Sequence, residues 1–259
     1  MKTIEKMYDL SGKIAIITGA GNGIGKASAI MLAKAGANIV CSDLNLEYAE
    51  ETAKEIQELG RESLAIKCDV TKIEDLELLV NETISKFNKI NILVNNAGGG
   101  NGGREIFLEL TPNYIENIYN LNVFSIYNLS RLCAPYMIED NYGSIVNISS
   151  MSSIMQSHKM SVYGSSKASV NQLTKYMAVD LGPSIRVNAI APGAIKTNAL
   201  AKVLTPEIEV EMLKNTPLKK LGEAEDIASG VLFLASPASK WISAQILPIN
   251  GGGEQDLDL

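Results

Sequence analysis

The feature that most constrains the fold is a continuous apolar run that empties into a glycine-rich turn. Residues 13–18 (KIAIIT) offer almost no polar face. A run of this kind suits a strand buried on both faces of a parallel sheet. It leads directly into Gly19, Gly21, Gly23 and Gly25. A segment with Ala27, Ile30, Met31 and Ala33 at helical spacing follows, before Gly36. Strand, tight turn and helix in that order form the first part of a βαβ unit, which needs a second parallel strand beside the first. Residues 38–42 (NIVCS) supply one, ending at Asp43.

The alternation continues along the whole chain. Residues 46–59 read as an amphipathic helix stopped by Gly60, and 63–67 as a strand ending near Asp69. Leu76, Leu79, Val80, Ile84 and Phe87 mark a helix by their three- and four-residue spacing. Residues 92–94 form a strand closed by Asn95-Asn96-Ala97-Gly98, and 113–137 read as one long helix. A fifth strand covers 144–149 (SIVNIS), with Ser150 as the first residue after it, and a helix starts near Tyr163. Residues 186–191 (RVNAIA) are a sixth strand closed by Pro192-Gly193. A helix over 224–234 and a strand over 246–249 precede Gly251-Gly252-Gly253. Strands alternating with helices predict an α/β fold, a doubly wound parallel sheet of about seven strands with helices on both faces. With no linker or repeat, residues 1–259 read as a single domain. The two long irregular intervals, 98–110 and 192–221, are expected to serve a site.

Composition narrows the possible partners. A formal net charge of −6 speaks against nucleic acid and supplies no positive field to gather anions. Any anion must be held by local groups. Cys41, Cys68 and Cys133 are odd in number, far apart and set in apolar contexts. They suit buried free thiols in a reducing compartment, not a disulfide or metal framework. The first ten residues lack the apolar stretch of a secretory signal, and no run approaches membrane-spanning length. Cytoplasmic localisation is the expectation.

The glycine turn has its own chemistry. Glycine lets the backbone turn sharply and approach a ligand closely, and the following helix start presents free N–H groups to a phosphate. A glycine cluster alone marks only a tight turn, but its place between a buried strand and a helix fits dinucleotide binding. Asp43 lies 18 residues beyond Gly25 at a strand end, where a carboxylate can accept hydrogen bonds from adenosine ribose hydroxyls. It would repel a 2′-phosphate, and neither Asn22 nor Leu44 supplies a cation for one. This points to NAD rather than NADP. Asp69-Val70, at the next strand end, can flank the adenine by the same geometry.

Tyr163 and Lys167 are four residues apart in a helix-like segment with Val170, Leu173, Thr174, Met177 and Leu181 at helical spacing. They therefore share one helix face. A tyrosine ionises near pH 10, about three units above neutrality. A fixed ammonium nearby favours the phenolate and lowers that value. The pair can then move a proton on or off a hydroxyl. Ser150, 13 residues before Tyr163, can hold a substrate oxygen beside it, although Ser149, Ser152 and Ser153 crowd the same loop. Met151, Met155 and Met160 fit either a flat apolar ligand or ordinary packing. His158, the only histidine, reads as a surface loop residue with no assigned role. Trp241 reads as core or subunit contact.

Thr18-Gly19-x-x-x-Gly23-x-Gly25, Asn95-Asn96-Ala97-Gly98, a serine 13 residues before Tyr163-x-x-x-Lys167, and Pro192-Gly193 occur in that order. Together they resemble the short-chain dehydrogenase/reductase family over the whole chain. The resemblance implies a Rossmann fold, with a dinucleotide-binding half over about 10–150 and a catalytic and substrate-binding half over about 150–259. It implies Tyr163 as acid–base, Lys167 holding the nicotinamide ribose and lowering the tyrosine pKa, Ser150 orienting the substrate, and Asn122 supporting a water relay. NAD would be lined by Gly19, Asn22, Gly23, Ile24, Gly25, Asp43, Leu44, Asp69, Val70, Asn96, Ala97, Gly98, Pro192, Gly193, Lys196, Tyr163 and Lys167. Ile195 and Thr197 would anchor its carboxamide and pyrophosphate. A homotetramer is also implied, joined through the 113–137 and 163–181 helices and the last strand.

A narrower likeness lies in Asn95 through Gly100, Leu121-Asn122-Val123-Phe124-Ser125, Ile190 through Ile195, Thr205-Pro206-Glu207-Ile208-Glu209 and Gln245-Ile246-Leu247. These look like bacterial NAD-dependent 7α-hydroxysteroid dehydrogenases, a group acting on bile acids. Gly100, Ser150, Met155 and Tyr163 would then touch the steroid, in an apolar trough between intervals 98–110 and 192–221. Met155 stands where that group suggests a polar asparagine, Lys196 where it suggests an apolar residue, and loop 101–105 is longer. Carrier-protein 3-oxoacyl reductases and sugar dehydrogenases share the core motifs. A non-catalytic NAD sensor would not need the acid–base set.

Overall fold

The computed structural model describes residues 3–100, 106–201, 204–214 and 216–253. Loop 101–105 and the acidic tail 254–259 lie outside the described residues. A short helix, α1 (Ile4–Tyr8), precedes the alternating run. The first half contains β1 (Ile14–Thr18), α2 (Gly23–Lys34), β2 (Asn38–Asp43), α3 (Leu46–Glu58), β3 (Ser63–Lys67), α4 (Ile73–Phe87) and β4 (Ile92–Asn95). It continues through α5 (Pro112–Tyr119), α6 (Ser125–Glu139), β5 (Gly143–Ile148), α7 (Ser161–Asp180) and β6 (Ile185–Pro192). The last elements are α8 (Asn198–Ala201), α9 (Pro206–Lys214), α10 (Ala224–Ala235) and β7 (Ile246–Ile249).

One seven-stranded sheet runs β3-β2-β1-β4-β5-β6-β7, and every pairing is parallel. All five residues of β1 are buried, as the apolar run predicts. Successive side chains point to opposite faces. Ala15 and Ile17 therefore join a core layer with α2, α3 and α10, while Ile14 and Ile16 join a layer with α4, α6 and α7. Each isoleucine buried in this way stabilises the fold by about 1.5–3 kcal/mol. Because strand order reverses beside β1, a crevice opens at the carboxyl ends of β1 and β4, where ligands bind in such sheets.

Several helix ends follow from local chemistry. Asn45 caps α3 through the Glu47 N–H, and Thr111 caps α5 with Pro112 in its first turn. Glu223 and Asp226 form a reciprocal capping box on α10, satisfying N–H groups the helix leaves unpaired. α4 ends on Asn88 in the left-handed conformation.

Three expectations are corrected. The helix expected over 113–137 is divided by a π-helical turn, Asn120–Phe124, in which the Ser125 N–H reaches back to Asn120 O. The Leu121 carbonyl is taken instead by the Ser125 hydroxyl at 2.6 Å. One inserted residue barely disturbs the apolar stripe, so periodicity does not reveal it. The interval 192–221 is not irregular, because it carries α8 and α9, which are too short to show a period. β5 ends at Ile148, so Ser150 is the second residue after it. Of the two alternatives for Trp241, the core is excluded, because the side chain is 96% exposed.

Cys41, Cys68 and Cys133 are free and buried. Burial pushes the Cys41 thiol up to about 12 and Cys68 to about 11, which removes their reactivity at neutral pH. Among the described residues no helix is long and apolar enough to cross a membrane, and no group of three or more His, Cys, Asp or Glu could hold a metal ion.

Candidate active site

The glycine turn links β1 to α2. Gly19 and Gly23 adopt φ of +64° and +53°, the left-handed region that glycine alone enters without strain. A Cβ at Gly25 would stand 2.0 Å from the Gly19 carbonyl oxygen, so no larger residue lets α2 start so close to the turn. Asn22 precedes α2 without a side-chain cap, and the first helical turn holds no acid. Its N–H groups and the positive end of its dipole are therefore open to an anion. The turn is braced from β4: Asn96 Nδ2 donates to the Thr18 and Gly19 carbonyls at 2.8 and 3.2 Å. The Thr18 hydroxyl accepts the N–H groups of Asn96 and Ala97 at 3.1 and 3.0 Å. Asn96 thus shapes the cradle with the amide that was expected to line the cofactor.

Asp43 sits at the end of β2, with Oδ2 accepting the Gly21 N–H at 2.9 Å and Oδ1 the Asn45 N–H at 3.0 Å. Both oxygens keep a lone pair for a further donor. Leu44 beside it is exposed. Asp69 caps its own turn, accepting from the Thr71 N–H and hydroxyl at 3.1 and 2.7 Å, and Val70 is buried. At the far edge, Gly193 N–H pairs with Ile249 O at 2.9 Å, continuing the β6 and β7 pairing through Pro192. Ile195 is buried and bridges to Gly222. A Cβ at Gly23 would stand 3.3 Å from Thr197 Cγ2, so Thr197 lies directly over the start of α2. The Lys196 ammonium turns instead to Glu223, 3.1 Å away.

The acid–base candidates converge beside this cradle. Lys167 is 4% exposed, and its Nζ donates to the Ile148 carbonyl at 2.8 Å. Asn122, fully buried on the π turn, clasps Gly99. Its Oδ1 accepts the Gly99 N–H at 2.9 Å, and its Nδ2 donates to Gly99 O and to Ser166 Oγ, each at 3.0 Å. Both amide hydrogens are thereby used, and the relay implied by the resemblance is left only oxygen lone pairs on this residue. A Cβ at Gly98 would lie 2.8 Å from Asn122 Oδ1 and 3.1 Å from Lys167 Nζ, so the two side chains approach one point. The Lys167 ammonium is 6.0 Å from the Tyr163 ring centroid.

The electrostatics correct one expectation. Burial pushes the Tyr163 phenol above its ordinary value, while a side-chain hydrogen bond with Ser150 pulls it back. Burial also brings Lys167 down to about 8. In the protein alone, desolvation of the phenol outweighs its hydrogen bond with Ser150. The group that favours the phenolate is Ser150.

Of the substrate candidates, Gly100 accepts from the Tyr114 hydroxyl at 3.1 Å. Met155 is half-buried, with its N–H on Met151 O at 2.9 Å. His158 is exposed on the same loop. The expected trough lies partly outside the described residues, because the intervals 98–110 and 192–221 include 101–105, 202–203 and 215. An apolar hollow of about 360 Å³ lies between α5 and α7, lined by Phe107, Ile115, Tyr119 and Val162 among others.

Sequence reasoning missed a buried polar ladder beneath the site. Asn95 Nδ2 donates to Asn147 Oδ1 at 2.9 Å, and Asn147 Nδ2 to Thr174 Oγ1 at 2.9 Å. It ties β4, β5 and α7 together. Its only signal in the sequence is polar residues within otherwise apolar strands.

A dinucleotide cradle beside a buried phenol and ammonium, on a doubly wound sheet, defines a class: the α/β dehydrogenases. The family model described as Enoyl-(Acyl carrier protein) reductase matches residues 19–254. The chain belongs to the short-chain dehydrogenase/reductase family. It is 49% identical to the 7alpha-hydroxysteroid dehydrogenase of Escherichia coli (strain K12), over 96% of this chain and 97% of that protein. It is 34% identical to a 3-oxoacyl-[acyl-carrier-protein] reductase of Thermotoga maritima, over 94% and 98% of the two chains. A solved 7 alpha-hydroxysteroid dehydrogenase complexed with NADH and 7-oxo glycochenodeoxycholic acid superposes with a TM-score of 0.96 at 48% identity, over 100% of both chains.

Proposed function

We propose that this chain is an NAD-dependent dehydrogenase that interconverts a secondary alcohol and its ketone, and that its substrate is the 7α-hydroxyl of a bile acid. The observation that carries the reading is the 49% identity with a 7alpha-hydroxysteroid dehydrogenase along almost the whole of both chains. The cradle suits NAD: the uncapped α2 start fits the pyrophosphate, and the Asp43 lone pairs fit ribose hydroxyls and repel a 2′-phosphate. When bound, NAD supplies the acceptor for the hydride leaving the alcohol carbon.

The chain's residues do the remaining work. The Ser150 hydroxyl holds the substrate oxygen beside the phenol. Tyr163 takes the hydroxyl proton in the oxidative direction and returns it in reduction. Lys167 holds the ribose and keeps a positive charge behind the tyrosine. Asn122 anchors the Gly99 backbone and, through Ser166, the start of α7. The half over about 10–150 holds the cofactor, and the half after 150 brings catalytic and substrate groups. The protein works in the cytoplasm, in bile-acid catabolism, as a homotetramer. Exposed Phe124 at the end of the π turn, Tyr127 on α6, Tyr176 and Val179 on α7, and Trp241 supply apolar area for subunit contacts.

The test is NAD reduction with bile acids differing only in hydroxyl position, run beside NADP, sugars and acyl thioesters. Turnover confined to 7α-hydroxyl substrates with NAD supports the reading, and turnover of acyl thioesters alone removes it. Tyr163→Phe is expected to lower kcat by about 10²- to 10⁴-fold while calorimetry still registers NAD binding. Near-normal turnover in that variant eliminates Tyr163 as the acid–base.

A further inference from the structure

Tyr163, Lys167 and Asn171 stand one turn apart on α7 and so share one face of it. The proposed chemistry uses the first two. Asn171 Nδ2 donates to Ser153 Oγ at 2.7 Å, and Ser153 Oγ donates to the Ser150 carbonyl at 2.5 Å. The direction is determinate. Ser153 has one hydroxyl hydrogen, committed to a carbonyl that can only accept, so the amide must present its NH₂ group. That orientation leaves Asn171 Oδ1 buried with no hydrogen-bond partner among the described residues. An apolar side chain would avoid that cost, whereas a donor aimed at Ser153 accounts for the amide.

The turn being held is the one that presents Ser150. Its carbonyl also accepts the Ser153 N–H at 3.0 Å, and its Oγ accepts the Ser152 N–H at 3.1 Å. The Ser150 hydroxyl hydrogen is then left to face the phenol. The turn presses directly on the helix start: a Cβ at Gly164 would stand 2.9 Å from Ser152 O. We propose that Asn171 is a positioning residue which, through Ser153, locks the turn Met151–Ser153 against α7 and so holds the Ser150 hydroxyl at the Tyr163 phenol. This rests on the reading of Ser150 and Tyr163 as the proton-handling pair.

Asn171→Leu, Ser153→Ala and the double variant test it. Each single change is expected to lower kcat by about 10- to 100-fold and leave the KM for NAD unaltered. The double variant should lose little more than either alone, since the two act in series. A second readout needs no substrate. Ionisation of Tyr163, isolated as the ultraviolet difference between each protein and its Tyr163→Phe counterpart, should move to higher pH as the Ser150 contact loosens. The groups facing the phenol are Ser150 from the loop and Lys167 from α7 itself, and neither is altered by these variants.

Activity within about twofold of wild type, or additive losses, overturns the proposal. So does a fall in kcat that follows the melting temperature while the phenol titration stays in place, which marks a packing role. If Asn171→Leu does not fold, Ser153→Ala in the surface turn carries the same comparison. If wild type oxidises no alcohol, the functional reading fails, and the titration still decides this one.

Discussion

Lys167 carries a charge that its surroundings resist. Its folded value of about 8 lies below the ordinary lysine value of about 10.4. Between those two values the unfolded chain binds more protons than the folded one, so stability rises with pH through that window. Below about pH 8 the cost of burying the charge is present in full. Lys167→Met is therefore expected to raise stability near neutral pH by about 1–2 kcal/mol and to abolish the rise in alkali, while activity is lost. Denaturant unfolding at about pH 7 and about pH 9.5 checks both. Equal stabilities of the two proteins across that window would contradict it. The spacing of Tyr163 and Lys167 in the sequence shows that they share a helix face. It carries no information on how dry that face is, and dryness reverses the expected direction of the tyrosine shift.

At the scale of an element, the glycine turn was legible because a backbone conformation demands particular residue types. Gly25→Ala would set a methyl 2.0 Å from Gly19 O and 2.5 Å from Asn96 Nδ2, so α2 must back away from β1. The expected cost is about 1–3 kcal/mol of stability, with NAD affinity weakened about tenfold or more through the displaced helix N-terminus. Calorimetric titration with NAD and thermal melting measure the two effects. Gly99→Ala, where a Cβ meets nothing within 4 Å, is the control and should stay within about 0.5 kcal/mol of wild type. The π turn around Asn122 was not legible. Asn122 itself was singled out by resemblance, but the bulge that aims it toward Gly99 depends on how α6 packs below it.

At the scale of the whole molecule, the order of strands brings Gly19, Asp43, Gly98, Ser150 and Pro192 to one edge of the sheet. Away from that edge, Trp241 stands 96% exposed, an unusual place for the largest apolar side chain. In a homotetramer it would be covered. Trp241→Glu should then lower the mass found by light scattering below four times 27.8 kDa, with circular dichroism unchanged. An unaltered mass would remove Trp241 from the subunit contact, and a wild-type mass near 27.8 kDa would remove the tetramer itself.

What the sequence determined by itself was the alternation of buried strands and amphipathic helices, the cradle and its glycines, and the phenol–ammonium pair. Each depends on neighbours within a few residues, where periodicity and backbone sterics act directly. The tertiary structure alone decided the dryness around Tyr163 and Lys167, the ladder from Asn95 through Asn147 to Thr174, and the hold of Asn171 on the Ser150 turn. It also decided where Thr197 comes to lie over α2. These depend on pairs far apart in the chain, and solvation and hydrogen-bond direction at such pairs are set only once the sheet has brought them together.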